Sequence, residues 1–407
     1  MDDLIGADGQ QRLDAYLAEI GAILKNKKRR ASFAIYAMGL LGEGDRKSAE
    51  PIAARACGDP DETDALHQRL LHFLVDSGWS DHEVRRVATR HAVAAVTARE
   101  PIDSWIIDDT GFLKQGKHSV GVQRQYTGSA GKITNCQIGV SLSLASRTEQ
   151  IPVDFDLYVP RSWIDDPARR REAHIPADVA FHTKPALALA QIRRALADDL
   201  PRGVVLADTS YGNSSAFREE LRYRSLDYAV AVDCTTKVWL VDRLNRRHGQ
   251  PVSVKDLGLR IGREGFRRVT WRDGTRRKLS ARFAMRRVLP AHDDGWQPSQ
   301  REPVWLILEW PDDEAAPTKY YFATLPSHFT KKRFIRFIKQ RWRTERAYED
   351  LKGELGFDHY EGRTYPGWHH HVTVALCCYA FVVAERARRF PPSARGPVAA
   401  EAHAVAA

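Results

Sequence analysis

The order of apolar and polar residues divides the chain into a helical first part and a mixed remainder. Residues 1–98 follow helical periodicity, and Ser80 followed by Glu83 has the capping-box spacing that begins a helix. From residue 103 onward the apolar residues occur in short runs and in the two-residue alternation of strands. The pattern predicts an α/β protein with a helical N-terminal domain.

Strands and helices alternate through the rest of the chain. Predicted strands are 105–107, 120–126, 136–144, 151–159, 204–207, 228–232, 305–310 and 320–325. Predicted helices are 184–198, 214–224, one around 334–352 and another at 372–386, with a loop at 160–175. The resulting domains are a helical one at 1–98, a core at 99–235 and 306–388, a separate β-rich insertion at 236–305 and a disordered tail at 389–407.

Two basic segments are candidate nucleic-acid contacts. Lys27, Lys28, Arg29 and Arg30 lie in a dense run that is either a solvated helix end or a phosphate-contacting patch. A predicted hairpin, 266–272 and 276–288 around Asp273-Gly274, carries ten Lys and Arg between 263 and 287 against two acids. Its interleaved aromatic residues favour a surface that follows a phosphate backbone over a solvated face, with Arg276, Arg277 and Lys278 as contacts.

Composition narrows the class of protein. The 407 residues are 43% hydrophobic with ten Trp, which is ample for a folded core of two or three units. The net charge of +10 favours a polyanionic partner, nucleic acid first and anionic membrane second. The five cysteines show neither zinc spacing nor a disulfide framework. No apolar run is long enough to span a membrane and no signal peptide is evident, so a soluble intracellular protein is expected.

One predicted helix places charged residues among apolar ones. At 3.6 residues per turn, one face carries Phe334, Ile338, Arg341, Glu345, Tyr348 and Lys352. Its apolar members predict that this face points inward. A carboxylate there costs several kcal/mol unless a cation receives it. Glu345 is therefore expected to be half of a buried ion pair or a metal ligand.

Two further acids complete a candidate metal site. Asp109 and Asp208 each follow a short apolar strand, and active sites of α/β sheets gather where strands end. Taken singly, each aspartate is typical of a turn or a helix cap. Together with Glu345 they form an oxygen-rich set suited to Mg²⁺ or Mn²⁺. A pair of such ions supports in-line displacement at a phosphodiester.

These residues resemble the three acidic motifs of bacterial insertion-sequence transposases of the DDE class. The motifs are Trp105-Ile-Ile-Asp-Asp-Thr-Gly-Phe, Val205-Leu-Ala-Asp-Thr-Ser-Tyr-Gly and Arg341-Trp-Arg-Thr-Glu. The third is similar to that family's Tyr-Arg-Glu-Lys helix, with Arg341 four residues before Glu345 and Lys352 seven after it. Ile338 stands where the family has tyrosine. The resemblance covers residues 100–385 in the family's order.

The resemblance implies a fold and a reaction. The fold would be an RNase H-like catalytic core with a β-rich insertion and a helical end-binding region. The reaction would be Mg²⁺-dependent cleavage at transposon ends, with Mn²⁺ as a substitute, followed by strand transfer into target DNA. The partners implied are double-stranded DNA and a second copy of the chain in a dimer on DNA. A cytoplasmic, nucleoid-associated bacterial protein is expected.

The resemblance also assigns roles to single residues. Asp109, Asp208 and Glu345 would hold the ions, while Arg341 and Lys352 would clamp phosphates. Asp109 is preferred to Asp108 because it immediately precedes the threonine, which leaves Asp108 as a cap or supporting partner. Tyr211 is either part of a tight turn or an aromatic contact near the scissile strand. His369, His370 and His371 cannot chelate one ion from one helix, so they are expected to border DNA or begin a helix.

Two other functions remain open from the sequence. A transposase-derived protein could keep the fold and the charge but only bind DNA. A structure-specific nuclease of the same fold could cut without joining. The three intact acids argue against the first, whereas cleavage and joining use the same ions and do not separate the second.

Overall fold

The computed structural model describes residues 7–273, 278–291, 302–325 and 329–389. The predicted tail at 389–407 therefore lies almost wholly outside the described residues. Within them, the helices are α1 (Ala7–Leu24), α2 (Lys27–Leu41), α3 (Ala49–Ala56), α4 (Thr63–Val75), α5 (Asp81–Thr97), α6 (Arg161–Ile164), α7 (Pro167–Glu172), α8 (Lys184–Ala197), α9 (Thr209–Gly212), α10 (Ser215–Tyr223), α11 (Val254–Ile261), α12 (Lys331–Gln340), α13 (Trp342–Leu355) and α14 (Tyr365–Arg389).

The described strands form one mixed sheet. Its strands are β1 (Ser104–Leu113), β2 (Gln123–Thr127), β3 (Lys132–Ala145), β4 (Gln150–Tyr158), β5 (Val204–Ala207), β6 (Tyr228–Val232), β7 (Lys237–Val241), β8 (Arg247–Ser253), β9 (Arg267–Asp273), β10 (Lys278–Pro290), β11 (Val304–Trp310) and β12 (Lys319–Ala323). Their order is β2-β3-β1-β5-β6-β12-β11-β10-β7-β8, with β4 paired to β3 and β9 to β10.

The centre of the sheet has the architecture expected from the sequence. β1, β3 and β4 form an antiparallel meander, whereas β5 pairs parallel to β1 and β6 pairs parallel to β5. Apolar runs such as Val204–Ala207 are buried throughout, as befits parallel strands that are covered on both faces. The predicted α/β, RNase H-like fold is confirmed.

The strands of the predicted insertion extend this same sheet. β12 pairs with β6, β11 with β12, and β10 with β11, so that β7, β8 and β9 are attached through β10. They do not form a sheet of their own, because β10 is thirteen residues long and pairs with β9, β11 and β7. The predicted hairpin is confirmed as β9 and β10, with Phe283 opposite Arg267.

The helical part is built around the last helix. The confirmed N-terminal helices α2, α4 and α5 pack against α14, and α14 is buried along most of its length. The predicted cap also forms, because the Ser80 hydroxyl accepts the Glu83 amide at 3.1 Å. Residues 7–98 thus share their core with residues far away in the sequence.

Three smaller findings complete the fold. The stretch at 160–175 contains the short helices α6 and α7, where only a loop was expected. All five cysteines are free thiols. Among the described residues, no helix combines the length and the apolar character that crossing a membrane requires.

Candidate active site

Asp109 and Asp208, the aspartates of the first two motifs, lie beside the point where β5 ends. β1 pairs with β5 from Ser104 to Ile106, and this register continues to place Asp208 level with Asp108. β1 itself runs on to Leu113 because β3 pairs with it along its whole length. The expectation that β1 ends before the aspartates is therefore wrong, although the acids still gather at the carboxyl end of a parallel strand.

Asp208 caps the short helix that follows β5. Its carboxylate accepts the Ser210 amide at 2.9 Å, so the helix-cap interpretation of this residue is correct as far as it goes. Burial raises the pKa of Asp208, the negative charge of Asp109 raises it further, and the Arg341 guanidinium opposes both. Capping a helix does not require a second acid nearby. Holding the Asp208 carboxylate close to another carboxylate costs electrostatic free energy.

Asp108 is the most deeply buried acid of this group. It accepts a charge-assisted bond from Arg341, Nη1 to Oδ2, at 2.7 Å and the amide of Asp109 at 2.9 Å. Burial nevertheless raises the pKa of Asp108 to about 7, helped by repulsion from Asp208 and Asp109 and opposed by Arg341. The supporting role predicted for Asp108 is consistent with this ion pair.

Asp109 faces the other side of the sheet. Its Oδ2 lies 3.1 Å from Nζ of Lys184 and 3.3 Å from the hydroxyl of Tyr211. Lys184 begins α8 and was missed by sequence reasoning. The sequence did contain a signal for this contact. A lysine in the first turn of a helix interacts unfavourably with the helix dipole, and a nearby carboxylate compensates for this.

Tyr211 is a buried residue. Its side chain has no exposed surface, its ring lies 6.0 Å from that of Phe217, and its hydroxyl donates to Asp109. The prediction that it contacts DNA is wrong for this conformation, because a fully buried ring cannot stack on a nucleotide. Tyr211 instead orients the carboxylate of Asp109.

The helix carrying the third acid is broken at Arg341. α12 ends at Gln340 and α13 begins at Trp342, so one periodicity does not extend from Phe334 to Lys352. Within α13 the buried positions are Thr344, Ala347, Tyr348, Leu351 and Leu355. Glu345 is exposed, and the predictions that it points inward or forms a buried ion pair are wrong.

Arg341 nevertheless brings Glu345 into the electrostatics of the site. Burial lowers the pKa of Arg341, but the charges of Asp108, Asp208 and Glu345 outweigh it and raise the pKa overall. Arg341 lies where the chain passes from α12, which packs with the core on the Ile106 side of the sheet, to α13, which packs on the Ile107 side. The helix break thus positions one cation between three acids.

Lys352 anchors α13 to β1. Its ammonium donates to the Thr110 hydroxyl at 3.0 Å and to the Gly111 carbonyl at 2.7 Å, and it lies 5.5 Å from the centre of the Phe112 ring. Burial lowers the pKa of Lys352. Lys352, which was predicted to clamp a phosphate, therefore bonds in this structure to residues that lie within two positions of Asp109.

The other predicted DNA contacts lie away from the acids. Lys27, Lys28 and Arg30 are exposed and Arg29 half-buried in the first turn of α2, which Asn26 caps. Lys278 is exposed at the start of β10, whereas Arg276 and Arg277 lie outside the described residues. The helix dipole adds positive potential to the basic run at α2, which favours an anionic partner.

The three consecutive histidines are core residues of α14. His370 bonds to the carbonyls of Leu74 and Trp79, and His371 bonds to the hydroxyl of Tyr36 and the carbonyl of Phe357. Burial lowers the pKa of His369 and of His371 to about 4. The prediction that they border DNA is wrong. α14 also begins before them, at Tyr365.

The acid cluster fits a divalent cation in its donor chemistry. Carboxylate oxygens are hard ligands, and the pKa values of Asp108 and Asp208 are raised, first by burial and then by the charges of neighbouring carboxylates. In the described residues, however, no three His, Cys, Asp or Glu side chains are arranged as a metal-binding group. Arg341 and Lys184 neutralise two of the acids in this conformation.

Two comparisons with known proteins show what the chain is similar to. The family described as "DDE superfamily endonuclease" matches residues 19–278, a span that contains Asp109 and Asp208 and ends before Glu345. The chain is also 26% identical over 355 residues to the "Probable transposase for insertion sequence element IS701" of Microchaete diplosiphon, covering 87% of this chain and 82% of that protein.

The chain therefore belongs to the DDE superfamily of endonucleases. It is an enzyme of the nuclease and transposase class, which acts on DNA, and its insertion-sequence relationship agrees with the resemblance carried by the three motifs. Endonucleases of this superfamily generally use divalent metal ions.

Proposed function

We propose that this protein is an insertion-sequence transposase that cleaves DNA at transposon ends and joins the freed 3′ ends to target DNA. The proposal is supported by the electrostatic coupling beside the end of β5, where the charge of Asp109 raises the pKa of Asp208 and the charges of Asp208 and Glu345 act on Arg341. The family match supports the nuclease chemistry and the relative supports its use in transposition.

Asp109, Asp208 and Glu345 are the proposed holders of Mg²⁺, with Mn²⁺ as a substitute. When bound, the metal supplies Lewis-acid stabilisation of the charge that develops on phosphoryl oxygens. Asp208 is fixed by its bond to the Ser210 amide, and Asp109 by Tyr211 and Lys184. Glu345 is exposed in the first turn of α13 and is free to turn toward the pair.

Two cations beside the acids are the proposed phosphate ligands. Arg341 can offer a bidentate fork to a phosphate, and Lys184 can offer a point charge. Both now pair with carboxylates, Arg341 with Asp108 and Lys184 with Asp109. Their side chains remain 31% and 27% exposed, so each can contact a ligand that enters from solvent.

Double-stranded DNA is the proposed partner, bound by a dimer that holds two ends together. The net charge of +10 and the exposed Lys27, Lys28 and Arg30 of α2 support binding along the phosphate backbone. The chemistry supports the dimer, since joining two ends of one element requires two active sites.

The test is cleavage of a duplex that carries the DNA flanking the gene, with and without Mg²⁺. Asp109→Asn, Asp208→Asn and Glu345→Gln should each reduce cleavage at least about a thousandfold while DNA binding stays within about threefold. Glu349→Gln is the matched control, because Glu349 is an exposed carboxylate one turn further along α13. Full cleavage by any of the first three variants would remove that residue from the site.

Asp108 gives a sharper comparison. Asp108→Asn should keep measurable cleavage, because this acid is proposed only to hold Arg341. Loss of cleavage in Asp108→Asn together with normal cleavage in Asp109→Asn would transfer the ligand role to Asp108. Nicked but never joined products would favour a nuclease, and binding without cleavage would favour an inactive derivative.

A further inference from the structure

A large basic cleft lies on the side of the molecule formed by α12 and the β9–β10 hairpin. Its volume is about 1470 Å³, and its walls come from β9, α12, the start of α13 and the turn between β3 and β4. This exceeds the range of roughly 300–1,000 Å³ that suits small molecules. The size therefore favours a macromolecular ligand.

The charge of the cleft is strongly positive. Three acids line it, and against them stand nine Lys and Arg side chains. Several of these bases are engaged, as when Arg386 pairs with Glu149 at 2.8 Å and Lys339 with Glu309 at 2.6 Å. The surplus of positive charge therefore comes from the bases that have no carboxylate partner.

The charge without a carboxylate partner is concentrated on one helix, where the Arg333 guanidinium also lies 3.8 Å from the centre of the Phe329 ring. Lys332, Arg333 and Arg336 are exposed on α12, and within the described residues none of them forms an ion pair with a carboxylate. The opposite side of α12 is apolar and buried through Phe334, Ile335, Phe337 and Ile338. A helix with such a fixed buried side holds its basic side in a constant position.

Aromatic residues of the cleft hold cations in place. The Arg272 guanidinium lies 3.9 Å from the centre of the Trp342 ring, which ties the hairpin to α13. The Lys339 ammonium lies 4.5 Å from the centre of the Trp271 ring. Each of these indoles thus has a cation over its ring, as expected for cation–π pairs, and what the cleft presents to a ligand is mainly charge.

The cleft adjoins the acid cluster without containing its acids. Neither the three aspartates nor Glu345 lines it. Gln340 and Trp342 of its wall, however, flank Arg341, which bonds to Asp108 at 2.7 Å. A duplex in the cleft would therefore be held beside the cleavage point, outside the acids themselves.

We propose that this basic cleft binds the phosphate backbone of duplex DNA, without reading its sequence, outside the segment that is cut. The proposal rests on the proposed function for its choice of DNA as the polyanion. Duplex is favoured over single-stranded nucleic acid because single strands are bound by stacking on free aromatic faces, whereas the indoles here are paired with cations.

The test is the salt dependence of binding to a fluorescent random-sequence duplex of 30 base pairs, measured by anisotropy in EDTA. The cleft variant is Lys332→Ala/Arg333→Ala/Arg336→Ala. The matched control is Arg243→Ala/Lys255→Ala/Arg260→Ala, which removes three equally exposed charges elsewhere. The cleft variant should lower the slope of log K against log salt by about 2 to 3 and weaken binding at least about tenfold at low salt.

Several outcomes would overturn the proposal. An unchanged slope in the cleft variant would do so, and so would an equal loss in the control, which would show an effect of net charge alone. A larger loss for a single strand of the same length than for the duplex would assign the cleft to single strands. Thermal unfolding would verify that both variants fold. Because EDTA prevents metal-dependent cleavage, failure of the proposed transposition chemistry would leave this result interpretable.

Discussion

Arg341 Nη1 lies 2.7 Å from Oδ2 of Asp108, and this bond joins the helix break after α12 to the middle of β1. Asp108 is 10% exposed and Arg341 31% exposed as side chains, so the pair is shielded from water on the acid's side. The two partners are not equivalent. The pKa of Arg341 is raised by Asp208 and Glu345 as well as by Asp108. The pKa of Asp108, in contrast, is lowered by Arg341 and by one backbone amide.

This asymmetry predicts which of the two single variants in a double-mutant cycle loses more stability. Arg341→Ala should lower the free energy of unfolding by about 2 kcal/mol, because it leaves a buried carboxylate without its cation. Asp108→Asn should cost less than about 1 kcal/mol, since Arg341 keeps two acidic neighbours. The double variant should recover part of the loss, and urea unfolding at pH 7 measures all four proteins. A double variant less stable than Arg341→Ala alone would contradict this account.

Lys47 provides a second prediction, at the junction between the N-terminal helices and α13. Its ammonium is buried and donates to the carbonyls of Leu40, Gly42 and Glu354 at 2.5 to 2.7 Å. Lys47→Met keeps the apolar stem but leaves these carbonyls without their donor, and it should cost about 3 kcal/mol. Arg46→Ala is the control, because its ion pair with Glu361 is exposed and should contribute less than about 1 kcal/mol. Equal losses in the two variants would show that Lys47 has no special role.

The sequence was informative wherever local pattern decides the structure. The apolar runs at 204–207 and 228–232 became strands at the predicted residues, and Ser80 became the predicted cap. The acids were found because two of them follow buried strands. What pattern could not show was that β1 continues past Asp109, since that depends on pairing with β3, thirty residues later in the chain.

The helix around Arg341 shows why periodicity misplaced the third acid. Both α12 and α13 are amphipathic, but they pack with cores on different faces of the sheet, and the chain must break its helix to pass between them. No Pro or Gly marks this break. Likewise, nothing local to Lys184 names Asp109 as its partner, because the two meet only when α8 packs on β3 and β4.

The buried His371 predicts a loss of stability in mild acid. Burial lowers its pKa to about 4, while an unfolded histidine titrates near 6.5, so the unfolded state binds more protons between these values. The contribution is fully present above about pH 6.5 and is lost as pH falls toward 4. At pH 5 the loss of stability from this group amounts to about 2 kcal/mol.

A substitution isolates this effect. His371→Gln should be less stable than the wild type at pH 7, because it loses the bond to Tyr36, yet its stability should fall about 2 kcal/mol less between pH 7 and pH 5. His248→Gln, at an exposed position, should keep the wild-type pH dependence. Parallel pH curves for the wild type and His371→Gln would show that His371 is not the titrating group.

Gly212 offers the last prediction, because it lies four residues after Asp208 at the closest approach of α9 to β6. A Cβ at this position would lie 1.9 Å from the carbonyl oxygen of Ala231, which is backbone and cannot rotate away. Gly212→Ala should therefore push α9 off the sheet, destabilise the protein by more than about 2 kcal/mol and reduce cleavage by displacing Asp208. Gly353→Ala is the matched control, since Gly353 is exposed within α13 and a Cβ there meets nothing within 4 Å. That variant should be more stable by about 0.5 to 1 kcal/mol, as alanine favours helix. Thermal unfolding and the cleavage assay together test the pair, and normal cleavage by a stable Gly212→Ala protein would show that the contact with β6 does not position Asp208.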